Sequence, residues 1–288
     1  MKTVRLGLIG YGKMGAVHAG LILAGKVPEL ELTAVAESAP GRLDALAGPS
    51  KFSEPAELLA SGLVDAVLIA TPHPTHVPLG LAALRAGLHV LVEKPLAVHK
   101  ADAQRLVAAG RRRPRQVFGE VFNQRTDPFF RKIRELVRGG EMGTVRRINW
   151  TITNWFRPEA YYRSRGWRAT WAGEGGGVLL NQSVHNLDLF QWIFGWPRRV
   201  RAHCQFGRYH DIEVEDDVTA HLAYPDGLRA AFITSTGEAP GTNRLEVAAD
   251  EVSTPEFVCQ RATSRGLGAS KGVNVNPIIT CHSERSEV

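Results

Sequence analysis

A chain of 288 residues with 44% hydrophobic and 22% charged side chains has the length for about two domains and the apolar content to bury a core in each. No stretch approaches the ~20 consecutive apolar residues of a membrane span. The three widely spaced cysteines, Cys204, Cys259 and Cys281, suggest neither a disulfide framework nor a paired-cysteine zinc site, and the N-terminus runs into a strand with no apolar signal region, so a metal-free, unexported, cytoplasmic protein is expected. The net charge of +6 is scattered except for Arg111-Arg112-Arg113-Pro114-Arg115, which reads as a helix end where cations complement the dipole rather than as a nucleic-acid patch.

In chain order, Val4 to Ile9 reads as an apolar strand, followed by a glycine turn, a helix through Ala24 and a second strand, Leu30 to Ala36. A short helix opens near Ser53 and Pro55, and Asp65 to Ala70 has the length of a buried strand. A helix from Val77 to Ala86, a strand from His89 to Val92, a helix from Asp102 to Gly110 and a strand from Gln116 to Phe122 follow. Strands alternating with helices predict a doubly wound parallel sheet covered on both faces. After about Asn123 the pattern changes to a helix at Pro128–Val137, an alternating strand at Val145–Trp155, a glycine run and a helix at Val184–Phe194. Three further alternating strands, Val200–Phe206, Val218–Tyr224 and Leu228–Thr234, include a hairpin turned at Pro225-Asp226-Gly227. The expected fold is therefore α/β, with a dinucleotide-binding domain over 1–122 and an α+β domain with a mostly antiparallel sheet over 123–250.

Gly10-Tyr11-Gly12-Lys13-Met14-Gly15 fits G-x-G-x-x-G and sits where the pattern has meaning, directly after a strand and opening a helix. Bare glycines there let the backbone approach a pyrophosphate, and the helix N-terminus adds N–H donors and partial positive charge. An acidic residue is expected about 20 positions on, to accept from the adenosine ribose. Glu37, 22 positions past Gly15, answers to it. A carboxylate there repels a 2'-phosphate, so NAD is expected over NADP, although Ser38 and Arg42 lie just beyond and are able to hold a phosphate.

Removing hydride from an alcohol carbon requires a group that withdraws the hydroxyl proton. Lys94, just past a strand's carboxyl end, lies on the rim where such sheets bind ligands; a solvated loop lysine is the alternative. Asn181, His185 and Asp188, spaced by four and three, are expected on one polar stripe of an otherwise mostly apolar helix, which suggests a cleft; a core histidine satisfied by Asp188 or Asn181 is the alternative. The segment Trp155 to Trp171 is rich in aromatics and arginine, suited either to a carbohydrate or acidic polyol or to packing a loop.

Taken together, Gly10 to Gly15, Thr71-Pro72 with His76, Gly87-Leu88-His89-Val90 leading to Glu93-Lys94-Pro95, and the glycine run leading to His185 resemble the glucose-fructose oxidoreductase, inositol dehydrogenase and MocA family over roughly Val4 to Asp250. The resemblance implies an NAD(P)-dependent dehydrogenase or reductase acting on the CH–OH groups of a sugar, inositol or related polyol, with Lys94 and His185 catalytic. It implies that Gly10, Gly12, Lys13, Met14, Gly15, Glu37, Thr71, Pro72, His76, Glu93, Lys94 and Asn123 line the cofactor, with Trp167 and Arg168 closing over it. Tyr161, Arg168, Asn181, Lys94 and His185 are the implied substrate contacts. Many members carry aspartate where this chain has Asn181, and asparagine orients a hydroxyl without taking its proton, so His185 carries that task alone. A non-catalytic dinucleotide sensor or decayed member is the rival reading. Family members assemble through the second-domain sheet, which implies a homo-oligomer.

Past Asp250 the family pattern breaks. The family strand at Arg244 to Ala249 should lead into more sheet and a closing helix, but residues 251–288 show no helical or strand period, and the tail is expected to be largely disordered.

Overall fold

The computed structural model describes residues 3–164, 166–250, 258–260 and 279–280. Two compact units emerge, one formed by Met1–Val121 with Gly173–Gly175, the other by Phe122–Ala172 with Gly176–Val288.

The first unit is built on β1 (Val4–Ile9), β2 (Leu30–Ala36), β3 (Ser50–Phe52), β4 (Ala66–Ile69), β5 (His89–Val92) and β6 (Phe118–Glu120), which pair in parallel in the order β3-β2-β1-β4-β5-β6. Helices α1 (Lys13–Leu23), α2 (Pro55–Ala60), α3 (His76–Arg85) and α4 (Lys100–Arg111) connect the strands. Alternation along the strands divides the core by face: Leu6, Leu8, Val35 and Leu68 pack with Ala19 of α1, while Ile9, Val67 and Ile69 pack with Leu58, Leu84 and Leu106 of the other helices. Strand order reverses at β1, and the carboxyl ends of β1, β2 and β4 meet there, the place where open sheets of this kind take ligands.

In the second unit, β7 (Val145–Ile152), β8 (Arg199–Phe206), β9 (Glu215–Ala223), β10 (Arg229–Ser235), β11 (Asn243–Ala249), β12 (Val258–Gln260) and β13 (Ile279–Thr280) form a sheet in the order β13-β12-β11-β7-β10-β9-β8. All its pairings are antiparallel except β7 with β10. The expected hairpin forms: Tyr224 N donates to Leu228 O at 3.0 Å, and Gly227 takes φ +89°. Helices α5 (Pro128–Gly139) and α7 (Val184–Phe194) contribute Phe130, Ile133, Leu189, Phe190 and Ile193 to a core with Ile148, Trp150, Phe232 and Leu245 of the sheet. Between them lies the short α6 (Glu159–Arg163). The start and stop of α5 are written locally, since Asp127 accepts from Phe129 N at 2.9 Å, Pro128 takes the first turn and Gly140 ends the helix at φ +78°.

Sequence reasoning missed β3; in the tail, the short strands β12 and β13 extend the sheet from β11. The rest of 251–288 lies outside the described residues. Among the described residues, no helix is long and apolar enough to cross a membrane.

Candidate functional site

In the first unit, the loops after β1, β2, β4 and β5 carry the predicted dinucleotide residues. Gly10 has φ +93°, and a Cβ there would lie 2.8 Å from Ala70 O. A Cβ on Gly15 would lie 2.0 Å from Gly10 O, so both glycines are required by the turn itself. At Gly12, by contrast, a Cβ would meet nothing within 4 Å. Gly12 is also the N-cap of α1, which has no side-chain cap and no acidic residue in its first turn. An uncapped helix N-terminus beside bare backbone and open space fits the pyrophosphate of a dinucleotide, and Lys13 and Met14 are exposed next to it. Glu37, at the end of β2, accepts from Tyr11 N at 2.8 Å, which ties the acidic residue to the glycine turn.

The loop after β5 is clamped at three successive residues. Glu93 Oε2 accepts from Lys94 N at 3.1 Å, His76 Nδ1 lies 2.8 Å from Pro95 O, and Glu120 Oε1 accepts from Leu96 N at 2.8 Å. His76 Nε2 also lies 2.8 Å from Thr71 O, so one fully buried ring braces the loops after β4 and β5. Burial holds the ring's pKa below the ordinary histidine value, outweighing the two carbonyls that favour the charged form, so the ring is held toward the neutral state with one N–H for two acceptors. Thr71 Oγ1 accepts from Thr75 Oγ1 at 2.6 Å, and Pro72 is exposed. Lys94 is half-buried.

Sequence reasoning missed His18. Its Nε2 donates to Glu93 Oε1 at 2.6 Å, linking α1 to the loop that carries Lys94. Burial by itself would raise the Glu93 pKa, but the His18 hydrogen bond and charge, with Lys94 N, hold it below the ordinary carboxylate range. Nothing in local spacing announces the pair, because its members are 75 residues apart.

In the second unit, the segment leading to His185 departs from the expected stripe. The helix begins at Val184, so Asn181 lies in the turn before it and not on a helical face with His185. The reason is a tether to β9: Glu215 accepts from Gly177 N and Leu179 N at 3.0 and 3.1 Å, and Val178 N donates to Glu215 O at 2.8 Å. A Cβ on Gly177 would lie 1.9 Å from that same carbonyl oxygen. The Asp188 carboxylate takes Arg125 in a bidentate pair, Nε at 2.7 and Nη2 at 2.5 Å. His185 is half-buried, with its ring edge-on to Phe122 at 6.0 Å between centroids. Asn123 is exposed at the head of a 3-10 turn, with its carbonyl accepting from Thr126 Oγ1 at 2.6 Å.

Tyr161, Trp167 and Arg168 come together. The Arg168 guanidinium lies 4.3 Å from the Tyr161 ring centre and 5.0 Å from that of Trp167, and donates to the Tyr161 hydroxyl. Arg163 and Arg168 line a neighbouring cavity of about 410 Å³ together with Glu159, Asp211 and Glu213.

Family models match both units: "Oxidoreductase family, NAD-binding Rossmann fold" over residues 4–120, and the GFO/IDH/MocA C-terminal domain over 130–253. An inositol 2-dehydrogenase of Corynebacterium glutamicum is 29% identical over 236 residues, covering 81% of this chain and 63% of that protein. The uncharacterized oxidoreductase YdgJ of Escherichia coli is 33% identical, covering 68% of this chain and 55% of its own length. The chain thus spans less than two thirds of these curated relatives. Among solved structures, the WlbA dehydrogenase of Bordetella pertussis, crystallised with NADH and UDP-GlcNAcA, superposes with a TM-score of 0.83 at 26% identity, covering 91% of this chain and 79% of that one. With an NAD-binding Rossmann unit, a mixed second sheet and both family models in sequence, the chain belongs to the glucose-fructose oxidoreductase, inositol dehydrogenase and MocA family.

Proposed function

We propose that this chain is an NAD-dependent dehydrogenase or reductase acting on a CH–OH group of a sugar, inositol or related polyol, working in the cytoplasm on a small-molecule substrate. The observation that carries the proposal is Lys94, on a loop at the carboxyl rim of a parallel sheet whose backbone is held by Glu93 at Lys94, by His76 at Pro95 and by Glu120 at Leu96. Such rigidity is what a group contacting a reacting hydroxyl requires, because misplacement by ~1 Å costs about 100-fold in rate. When bound, a nicotinamide cofactor supplies the hydride acceptor or donor. Gly10, Gly12 and Gly15 with the α1 N-terminus hold the pyrophosphate, and Glu37 takes the adenosine ribose. Lys94 stabilises charge developing on the substrate oxygen, and His185 acts as acid or base. Asn181 orients a hydroxyl, and the Tyr161–Arg168 stack presents an aromatic face and a guanidinium to a polyol. The inositol 2-dehydrogenase relative and the nucleotide-sugar complex of WlbA support the substrate class. A homo-oligomer through the second-unit sheet belongs to the same reading.

A panel of sugars, sugar acids and inositols, with NAD reduction followed by absorbance, tests the proposal. NADH formation with at least one of them is expected. Asn181, in place of the aspartate that the family resemblance implies, favours a second reading, a dinucleotide sensor without turnover. Cofactor binding with no turnover across the panel would support that reading instead.

A further inference from the structure

One face of α7 carries three side chains that share a neighbour. His185, Asp188 and Trp192 follow one another at offsets of three and four, which stacks them along the helix. The 3-10 turn Asn123–Thr126 packs against α7, with Phe122 just before it. Arg125 of this turn is held from three sides. Its Nε and Nη2 donate to the two oxygens of Asp188, whose side chain is 4% exposed. Its guanidinium carbon lies 5.8 Å from the Trp192 ring centre and 5.6 Å from that of Phe122. Arg125 N also donates to Phe122 O at 3.0 Å, closing the turn that presents the Phe122 ring. That ring meets His185 at 86° between planes. A planar fork that is both paired and stacked has little freedom, so Phe122 stands on a fixed support.

We propose that Arg125, Asp188 and Phe122 are positioning residues that set the ring of His185 for proton transfer. The inference rests on the reading of His185 as acid or base and deepens it, since each of the three acts through His185. A proton passes only across a hydrogen bond of about 2.6 to 3.2 Å, whereas an imidazole turns about two side-chain bonds and samples several rotamers. His185 is half-buried on the first turn of its helix, so its rotamer needs a wall. Phe122 is that wall, and Arg125 holds it in place. Asp188 serves twice: it fixes the guanidinium, and it cancels the charge, so that no uncompensated cation stands one ring away from the base. A pair that merely fastened the turn to α7 would tolerate any apolar side chain at position 122. A positioning set requires a flat one.

The test compares the full 288-residue wild type with Arg125→Ala, Phe122→Leu, Phe122→Tyr and His185→Gln. Two readouts are taken: kcat and KM on a polyol that the wild type oxidises, and the histidine ring signals by NMR, with His185 identified by the signal missing from His185→Gln. Arg125→Ala and Phe122→Leu should each lower kcat about 10- to 100-fold, with substrate KM within about threefold, and both should move the His185 signals. Phe122→Tyr, which keeps the ring, should recover most of the loss. Equal losses in Phe122→Leu and Phe122→Tyr, or a loss carried by KM with kcat unchanged, overturn the inference while leaving His185 as acid or base. If Arg125→Ala does not fold, the two Phe122 variants decide, and undiminished kcat in Phe122→Leu overturns the proposal. If the wild type oxidises nothing on the panel, the ring signals decide: unmoved in both variants, they overturn the placement of His185 by these residues. Undiminished turnover in His185→Gln overturns the acid–base reading and the inference together.

Discussion

The two units hold their candidate residues by different means. In the first, short loops leave the strand ends and are locked by side chains from distant positions: Glu37 on Tyr11 N, His76 on Thr71 and Pro95, and His18 on Glu93. In the second, His185 stands at the start of a helix set on a packed apolar core, reached through an irregular stretch tethered to β9 by Glu215. Placement in the first unit thus depends on a few polar links, and in the second on packing. Polar links are sensitive to single atoms and to pH, whereas packing is sensitive to volume.

The largest expected effect breaks the packed side of this contrast. Trp150 is 1% exposed at the centre of the second core and donates through Nε1 to Asn243 Oδ1 at 2.9 Å. Trp150→Ala should destabilise the second unit by about 3–5 kcal/mol, read as a lowered urea midpoint. A loss under about 1 kcal/mol would mean that the helix carrying His185 does not depend on that core.

The polar side is sharpened at His18. His18→Ala removes the donor to Glu93 and should lower kcat about 10- to 100-fold, with NADH affinity little changed. His18→Gln, which keeps an N–H donor at a similar reach, should recover most of the loss. Equal effects from the two variants would assign His18 to packing alone and not to positioning Lys94.

The smallest effect is the pH dependence of stability. The folded pKa of His76 is lowered from 6.5, so its contribution is fully present above 6.5 and is lost as pH falls from there toward the folded value. Glu93 is lowered from 4.5, so its contribution is present above 4.5 and lost as pH falls through its folded value. Melting temperatures should therefore decline in two stages between pH 8 and pH 3. His76→Gln should remove the upper stage, and a stage that persists in this variant would assign it to another group.

How far these regions were legible in the sequence follows the same division. Local order determines most of the first unit: apolar runs of strand length, glycines at fixed offsets and an acid at the end of β2 each act within a few residues, and every strand but β3, whose Ser50-Lys51-Phe52 is no apolar run, falls where a run is. Lys94 was legible for the same reason, standing directly after a strand. Its clamps were not, because His18 and Glu93 are 75 positions apart and only the fold joins them. In the second unit, offsets of four and three suggested one helical stripe for Asn181, His185 and Asp188. Glu215 and Gly177 delay the helix to Val184, and Arg125, 63 positions from Asp188, claims its carboxylate. Periodicity predicts a face only where a helix is present, and here a long-range tether decides where it begins.

The role proposed for Lys94 is on the substrate and not in cofactor binding. Its most direct test is a paired measurement on the wild type and Lys94→Ala: NADH affinity by calorimetry, and turnover on whichever polyol the wild type oxidises. NADH affinity within about threefold, with turnover reduced about 100-fold or more, is the predicted result. Undiminished turnover in Lys94→Ala would contradict it.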